Sequence, residues 1–175
     1  MEARVLYENS GSGCEYPDRF GSIRNAGRVV RTQNRNPHHT TDLIIAQVER
    51  GGHGEVMANS KSGRLITHVS SAAFLLECTL WKEDKPDLEI QDASVFLLAK
   101  DLGALLLTGD KDLRSFSETE RIKVHGTLWI FDQLVDSAAL KPEDAADKLE
   151  HLLDTGRRLP KAECENRIAT WRKVQ

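Results

Sequence analysis

The stretch Leu88–Arg114, LEIQDASVFLLAKDLGALLLTGDKDLR, constrains the fold more than any other part of the chain. Asp92 is followed by an apolar run of helical character, Ala93–Ala99, and Gly103 can end that helix. Ala104–Leu107 is short and wholly apolar, as suits a buried strand. It ends in Thr108-Gly109-Asp110, and a polar turn follows. The segment reads as a helix with an acid in its first turn, then a buried strand with a second acid just past its end. Ligands of open α/β sheets bind outside the carboxyl ends of the strands. A helix packed so that Asp92 points the same way as Asp110 brings two carboxylates to one mouth.

The rest of the chain extends this pattern. Thr41 or Asp42 can cap a helix over Leu43–Glu49, and Gly51-Gly52 breaks it. Arg64–Ser70 reads as a strand, with His68 as an edge or packing histidine. Ala72–Trp81 is a second helix with Phe74, Leu75, Cys78 and Trp81 on its apolar face, followed by a charged linker over Lys82–Asp87. Beyond the central stretch, Ile122–His125 is a short strand, and Thr127 can cap a helix over Leu128–Val135. Lys141-Pro142-Glu143-Asp144 starts a helix that buries Ala145, Leu149, Leu152 and Leu153 and stops at Gly156. A last helix spans Leu159–Lys173, anchored by Ile168 and Trp171. Strands alternating with helices predict a three-layer α/β/α sandwich around a small, mostly parallel sheet.

Residues 1–39 stand apart from this domain, which is read as residues 40–175. They are rich in Gly, Asn, Ser and Arg and hold no sustained period; the first Lys of the chain is Lys61. Val5-Leu6-Tyr7 and Arg28-Val29-Val30 are the two candidate strand fragments, and His38-His39 reads as a loop pair. The segment is expected to be disordered or an arm that orders on a partner. Its Lys-free, aperiodic composition is also what an out-of-frame start would give.

At 175 residues one domain is the default. A net charge of −3 argues against a strongly basic nucleic-acid binder. Cys14, Cys78 and Cys164 are scattered and odd in number, so neither a zinc site nor a disulfide framework is implied, and a reduced, cytoplasmic setting fits. No apolar run approaches about 18 residues, so no membrane span is expected.

Two carboxylates about 4 Å apart repel by roughly 4 kcal/mol at an effective dielectric of about 20. Such a pair calls for a proton or a cation between them. Oxygen donors without Cys or His suit Mg²⁺ or Mn²⁺, and an ion of that kind can activate water and neutralise a phosphodiester. Thr108 can orient a ligand, and Lys111 and Arg114 can meet phosphate oxygens. The same acids have a plainer reading: Asp110 as a helix cap over Lys111–Ser117, and Asp92 as a favourable charge at a helix start.

The central stretch closely resembles the second half of a PIN domain, the fold of many Mg²⁺-dependent ribonucleases, including toxins of toxin–antitoxin pairs. IKVHGTLWIFDQLV is similar to that family's following strand and helix, and the tail with GRRLP to one bacterial and archaeal subgroup. The resemblance implies a Rossmann-like sheet, an acidic pocket in which Asp92 and Asp110 hold Mg²⁺ (or Mn²⁺) and serve as catalytic residues, and cleavage of RNA. It also implies an antitoxin protein and a homodimer as partners. Two features depart from the family. The opening MEARVLYENS carries no Asp, where the family has a D-T-[NS] strand, and TTDLIIAQVE has Gln47 where the family has Glu. Asp42 and Glu49 are nearby but out of phase, because a two-residue shift turns a side chain about 200° around a helix. The alternative is therefore an inactive PIN-like protein that binds RNA or a protein.

Overall fold

A computed structural model describes residues 4–6, 38–50, 58–59, 61, 63, 65–85 and 87–173. Among the described residues, five strands form one sheet: β1 (Arg4–Leu6), β2 (His38–Thr41), β3 (Leu65–His68), β4 (Leu105–Leu107) and β5 (Val124–His125). Their order is β3-β2-β1-β4-β5, and every pairing is parallel. The helices are α1 (Asp42–Arg50), α2 (Ala72–Glu83), α3 (Ile90–Leu102), α4 (Lys111–Thr119), α5 (Thr127–Asp136), α6 (Pro142–Asp154) and α7 (Lys161–Trp171). This is the α/β fold with a small parallel sheet that the alternation of elements predicts. No helix among the described residues is long and apolar enough to cross a membrane.

The sheet draws on residues before position 40. Arg4–Leu6 pairs with β2 on one side and β4 on the other, so the first strand is central. His38-His39, expected as a loop pair, instead opens β2, hydrogen-bonded between β1 and β3. Adjacent His residues on a strand point to opposite faces, and His39 is buried. Its Nδ1 lies 2.8 Å from Nε2 of His68 on the edge strand, one nitrogen donating and the other accepting. The edge or packing role expected for His68 is what the structure shows. The fragment Arg28-Val29-Val30 lies outside the described residues.

Helix α3 explains why the central stretch is apolar on all sides. Asp92 through Ala99 are all buried, and the helix packs against β1, β2, β4, α1, α2 and α4. A helix hydrophobic all round is a core helix. It ends at Gly103 with φ 57°, a left-handed conformation that glycine adopts at little cost. The chain then turns directly into β4. Phe96 anchors the core: its ring lies 5.1 Å from Trp81 and 4.9 Å from Phe116, and those two rings are 5.0 Å apart, edge on. The ammonium of Lys85 caps the cluster, 4.6 Å from the Trp81 ring.

The chain divides into two compact units near Thr127. The second has its own core, built by Leu128, Phe131 and Leu134 of α5, Leu140 just before α6, Ala145, Ala146 and Leu149 of α6, and Cys164, Ile168 and Trp171 of α7. The helical starts and stops expected there are present: Pro142 in the first turn of α6, and Gly156 at φ 78° after its end. Arg167 clamps Asp132 through Nε and Nη2, each 2.9 Å from a carboxylate oxygen. That bidentate geometry holds α7 to α5.

Candidate functional site

Parallel strands gather their carboxyl ends on one edge. In this sheet β2 and β3 lie to one side of β1, and β4 and β5 to the other, so the topological switch falls between β1 and β4. That edge is where the ligand crevice of an open α/β sheet forms. Both acids singled out from the sequence lie there.

Asp110 follows β4. The turn is organised by Thr108, which is 2% exposed. Its N–H donates to the His125 carbonyl of β5 (3.0 Å), and its Oγ1 accepts from the N–H of Asp110 (3.0 Å). Asp110 Oδ1 then accepts from the N–H groups of Asp112 (2.9 Å) and Leu113 (2.8 Å), capping α4. The expected cap is thus real.

Asp92 is 2% exposed, in the first turn of α3. Its Oδ2 accepts from the N–H of Glu89 (2.6 Å), and the Glu89 side chain accepts from the Asp92 N–H in return, a reciprocal capping box. A chain of hydroxyls fixes this turn to the strand ends. The Ile44 N–H donates to Thr41 Oγ1 (3.4 Å), and Thr41 and Ser94 hydroxyls are 2.9 Å apart. Ser94 Oγ donates to the Gln91 carbonyl (2.8 Å), so the proton between the two hydroxyls belongs to Thr41. Through this chain the turn bearing Asp92 sits beside the end of β2. The ends of β2 and β4 flank that of β1, and neighbouring strands are roughly 4.8 Å apart.

Asp42, the first residue of α1 and directly after β2, does a different job. Its Oδ1 accepts from Ser70 Oγ (2.5 Å) and its Oδ2 from Ser70 N–H (3.0 Å), which ties the ends of β2 and β3 together. Burial pushes this carboxyl up, but the bonds from Ser70, with those from the Leu43 and Asp42 amides, outweigh it and leave the carboxyl below its usual range. Glu49 is exposed on α1. Gln47 is half-buried, and its Oε1 is enclosed with no hydrogen-bond partner among the described residues. Among the described residues, no three of His, Cys, Asp or Glu gather as a metal cluster. The three residues of β1 carry no acid. Asp92 and Asp110 thus share the edge as hard oxygen donors. That donor set still fits Mg²⁺, which keeps several waters and is commonly bound by one or two carboxylates together with substrate phosphates.

The Asp42–Ser70 and His39–His68 contacts both join β2 to the edge strand, and both respond to acid in the same direction. Burial, and secondly the charge of His68, holds His39 below its ordinary 6.5. The folded state thus disfavours protonated His39, so stability is full above pH 6.5 and declines as pH falls below it. Asp42, held below 3.8, contributes stability above that value, lost as pH falls through its folded value. Chemical denaturation across pH is expected to show two losses, one beginning near 6.5 and one beginning near 3.8. An Asp42→Asn variant should be destabilised by about 1 kcal/mol at neutral pH and should lack the lower step. A variant that keeps that step would assign it to another carboxyl.

The fold is a parallel α/β domain with two acids at the carboxyl edge of its sheet. A family model described as a PIN domain matches residues 48–173, and the chain belongs to that family. Asp92 and Asp110 lie inside the matched span; Gln47, β1 and β2 lie before it. No curated protein and no solved structure matches the chain.

Proposed function

We propose that the protein is a metal-dependent endoribonuclease of PIN type, using Asp92 and Asp110 as its metal-holding carboxylates. The observation that supports this most is the placement of both acids at the carboxyl edge of the sheet, beside the switch between β1 and β4. Mg²⁺ or Mn²⁺, when bound, would supply charge neutralisation at the phosphodiester and a more acidic water. The protein's part is positional. Thr108 fixes the Asp110 backbone, and the Thr41–Ser94 bond fixes the turn of Asp92. Holding both groups in place before substrate arrives is what lets a small site act on a reacting phosphate. A toxin role, opposed by an antitoxin protein, and a homodimer are the assignments the family likeness suggests, with a cytoplasmic location.

A second reading is favoured by Gln47 and by the acid-free β1. In it the protein keeps the PIN scaffold and binds RNA or a protein without cutting. Incubation of the purified protein with single-stranded RNA and Mn²⁺ separates the two. Under the first reading, cleavage occurs and is abolished by EDTA. Intact RNA under all conditions would leave the second.

A further inference from the structure

We infer that Arg114 is a phosphate-binding residue of this same edge, seated in a slot that Gly126 keeps open; the inference rests on the RNA-directed reading above. Arg114 lies one helical turn after Asp110, and side chains on a helix lean toward its N-terminus. Its Nη2 accordingly reaches back to donate to the Thr108 carbonyl (3.3 Å). Thr108 therefore registers two groups at once: the Asp110 backbone through its hydroxyl, and the guanidinium through its carbonyl. On the far side lies Gly126, directly after β5. A Cβ built there would stand 2.6 Å from Arg114 Nη2 and 3.5 Å from the Thr108 oxygen. The missing side chain is the space the guanidinium occupies.

Its other contact among the described residues is weak. Nη1 lies 3.8 Å from Glu118, beyond ordinary hydrogen-bond length, and both side chains reach solvent. A guanidinium carries five donors in a rigid fork suited to phosphate oxygens. With one donor directed at Thr108 and Glu118 readily displaced, the fork is preorganised at the strand end that carries Asp110. Asp110, Asp112 and Glu118 make this part of α4 acidic. A fixed cation there lowers the repulsion that a polyanion would meet.

The test uses the full chain and a labelled single-stranded RNA oligonucleotide, with binding measured in EDTA across a salt series and cleavage measured with Mn²⁺. Arg114→Ala is expected to weaken binding about tenfold and to lower the slope of log affinity against log salt by about 0.7, the value for one contact on a single strand. Arg114→Lys should keep the slope and recover part of the affinity. Gly126→Ala, which leaves the arginine in the chain but displaces its guanidinium from the Thr108 carbonyl, should weaken binding by less than Arg114→Ala does. Thermal melting of each variant reports any structural loss. Affinity and slope unchanged in Arg114→Ala would overturn the inference, even if melting fell, because the residue would then be a strut between β4 and β5. Wild-type protein that binds RNA with this Arg114 dependence but never cleaves would sink the nuclease reading alone. Wild-type cleavage with an unaltered KM in Arg114→Ala would sink the inference alone, and absence of RNA binding would sink it as well.

Discussion

Asp110→Asn is expected to lower RNA cleavage by at least about 100-fold while changing stability by no more than about 0.5 kcal/mol. The two halves have separate causes. An Asn side-chain oxygen caps a helix about as well as Asp, so the bonds from Asp112 and Leu113 N–H persist. What Asn lacks is the negative charge that holds a divalent cation, and several kcal/mol of transition-state stabilisation is about a hundredfold or more in rate. Asp110→Ala should lose the same activity and also about 1 kcal/mol of stability, because α4 then begins without its cap. The paired variants separate cap from ligand at one position. Both variants cleaving at the wild-type rate would show that Asp110 is a cap and nothing more. Asp92 is a poorer site for this comparison, since it is buried in a reciprocal capping box and its removal disturbs the core helix as well.

Phe96→Ala is expected to cost about 4 kcal/mol, within the 3–5 typical of a buried phenylalanine. The ring is 1% exposed and stands between Trp81 of α2 and Phe116 of α4. Its loss leaves a cavity on the middle of the one helix that touches most of the sheet. Domains of this size are stable by only about 5–15 kcal/mol, so the variant should unfold at a much lower denaturant concentration. Leu76→Ala on α2 is the control: the side chain is 59% exposed, and its removal should change stability by no more than about 0.5 kcal/mol. Equal midpoints for the two variants would show that α3 is not the centre of the core.

Much of the first unit was legible because its signals are local. The run Ala93–Ala99, the stop at Gly103 and the strand ending before Thr108 are encoded within a few residues of one another. The cap at Asp110 and the starts at Thr127 and Pro142 are likewise short-range patterns. The strands were harder. β1 has three residues and β5 two, too few for an alternating pattern to emerge. The loop reading of His38-His39 had the same cause: a polar four-residue strand, HHTT, shows no strand period, and its identity comes from pairing on both edges. β-Propensity reflects such surroundings more than the residues themselves.

The site divides along the same line. Sequence by itself determined the helix–strand unit Leu88–Arg114 and the two acids at its turning points, because composition and spacing within one stretch are sufficient for both. Only the tertiary structure decided what lies around them. Arg4–Leu6 at the centre of the sheet, Asp42 tied to Ser70 rather than turned to the other acids, the Thr41–Ser94 bond and the guanidinium of Arg114 over Gly126 all join residues distant along the chain. Contacts of that kind form when packing brings separate segments to one edge, and no local pattern of residues carries that distance information.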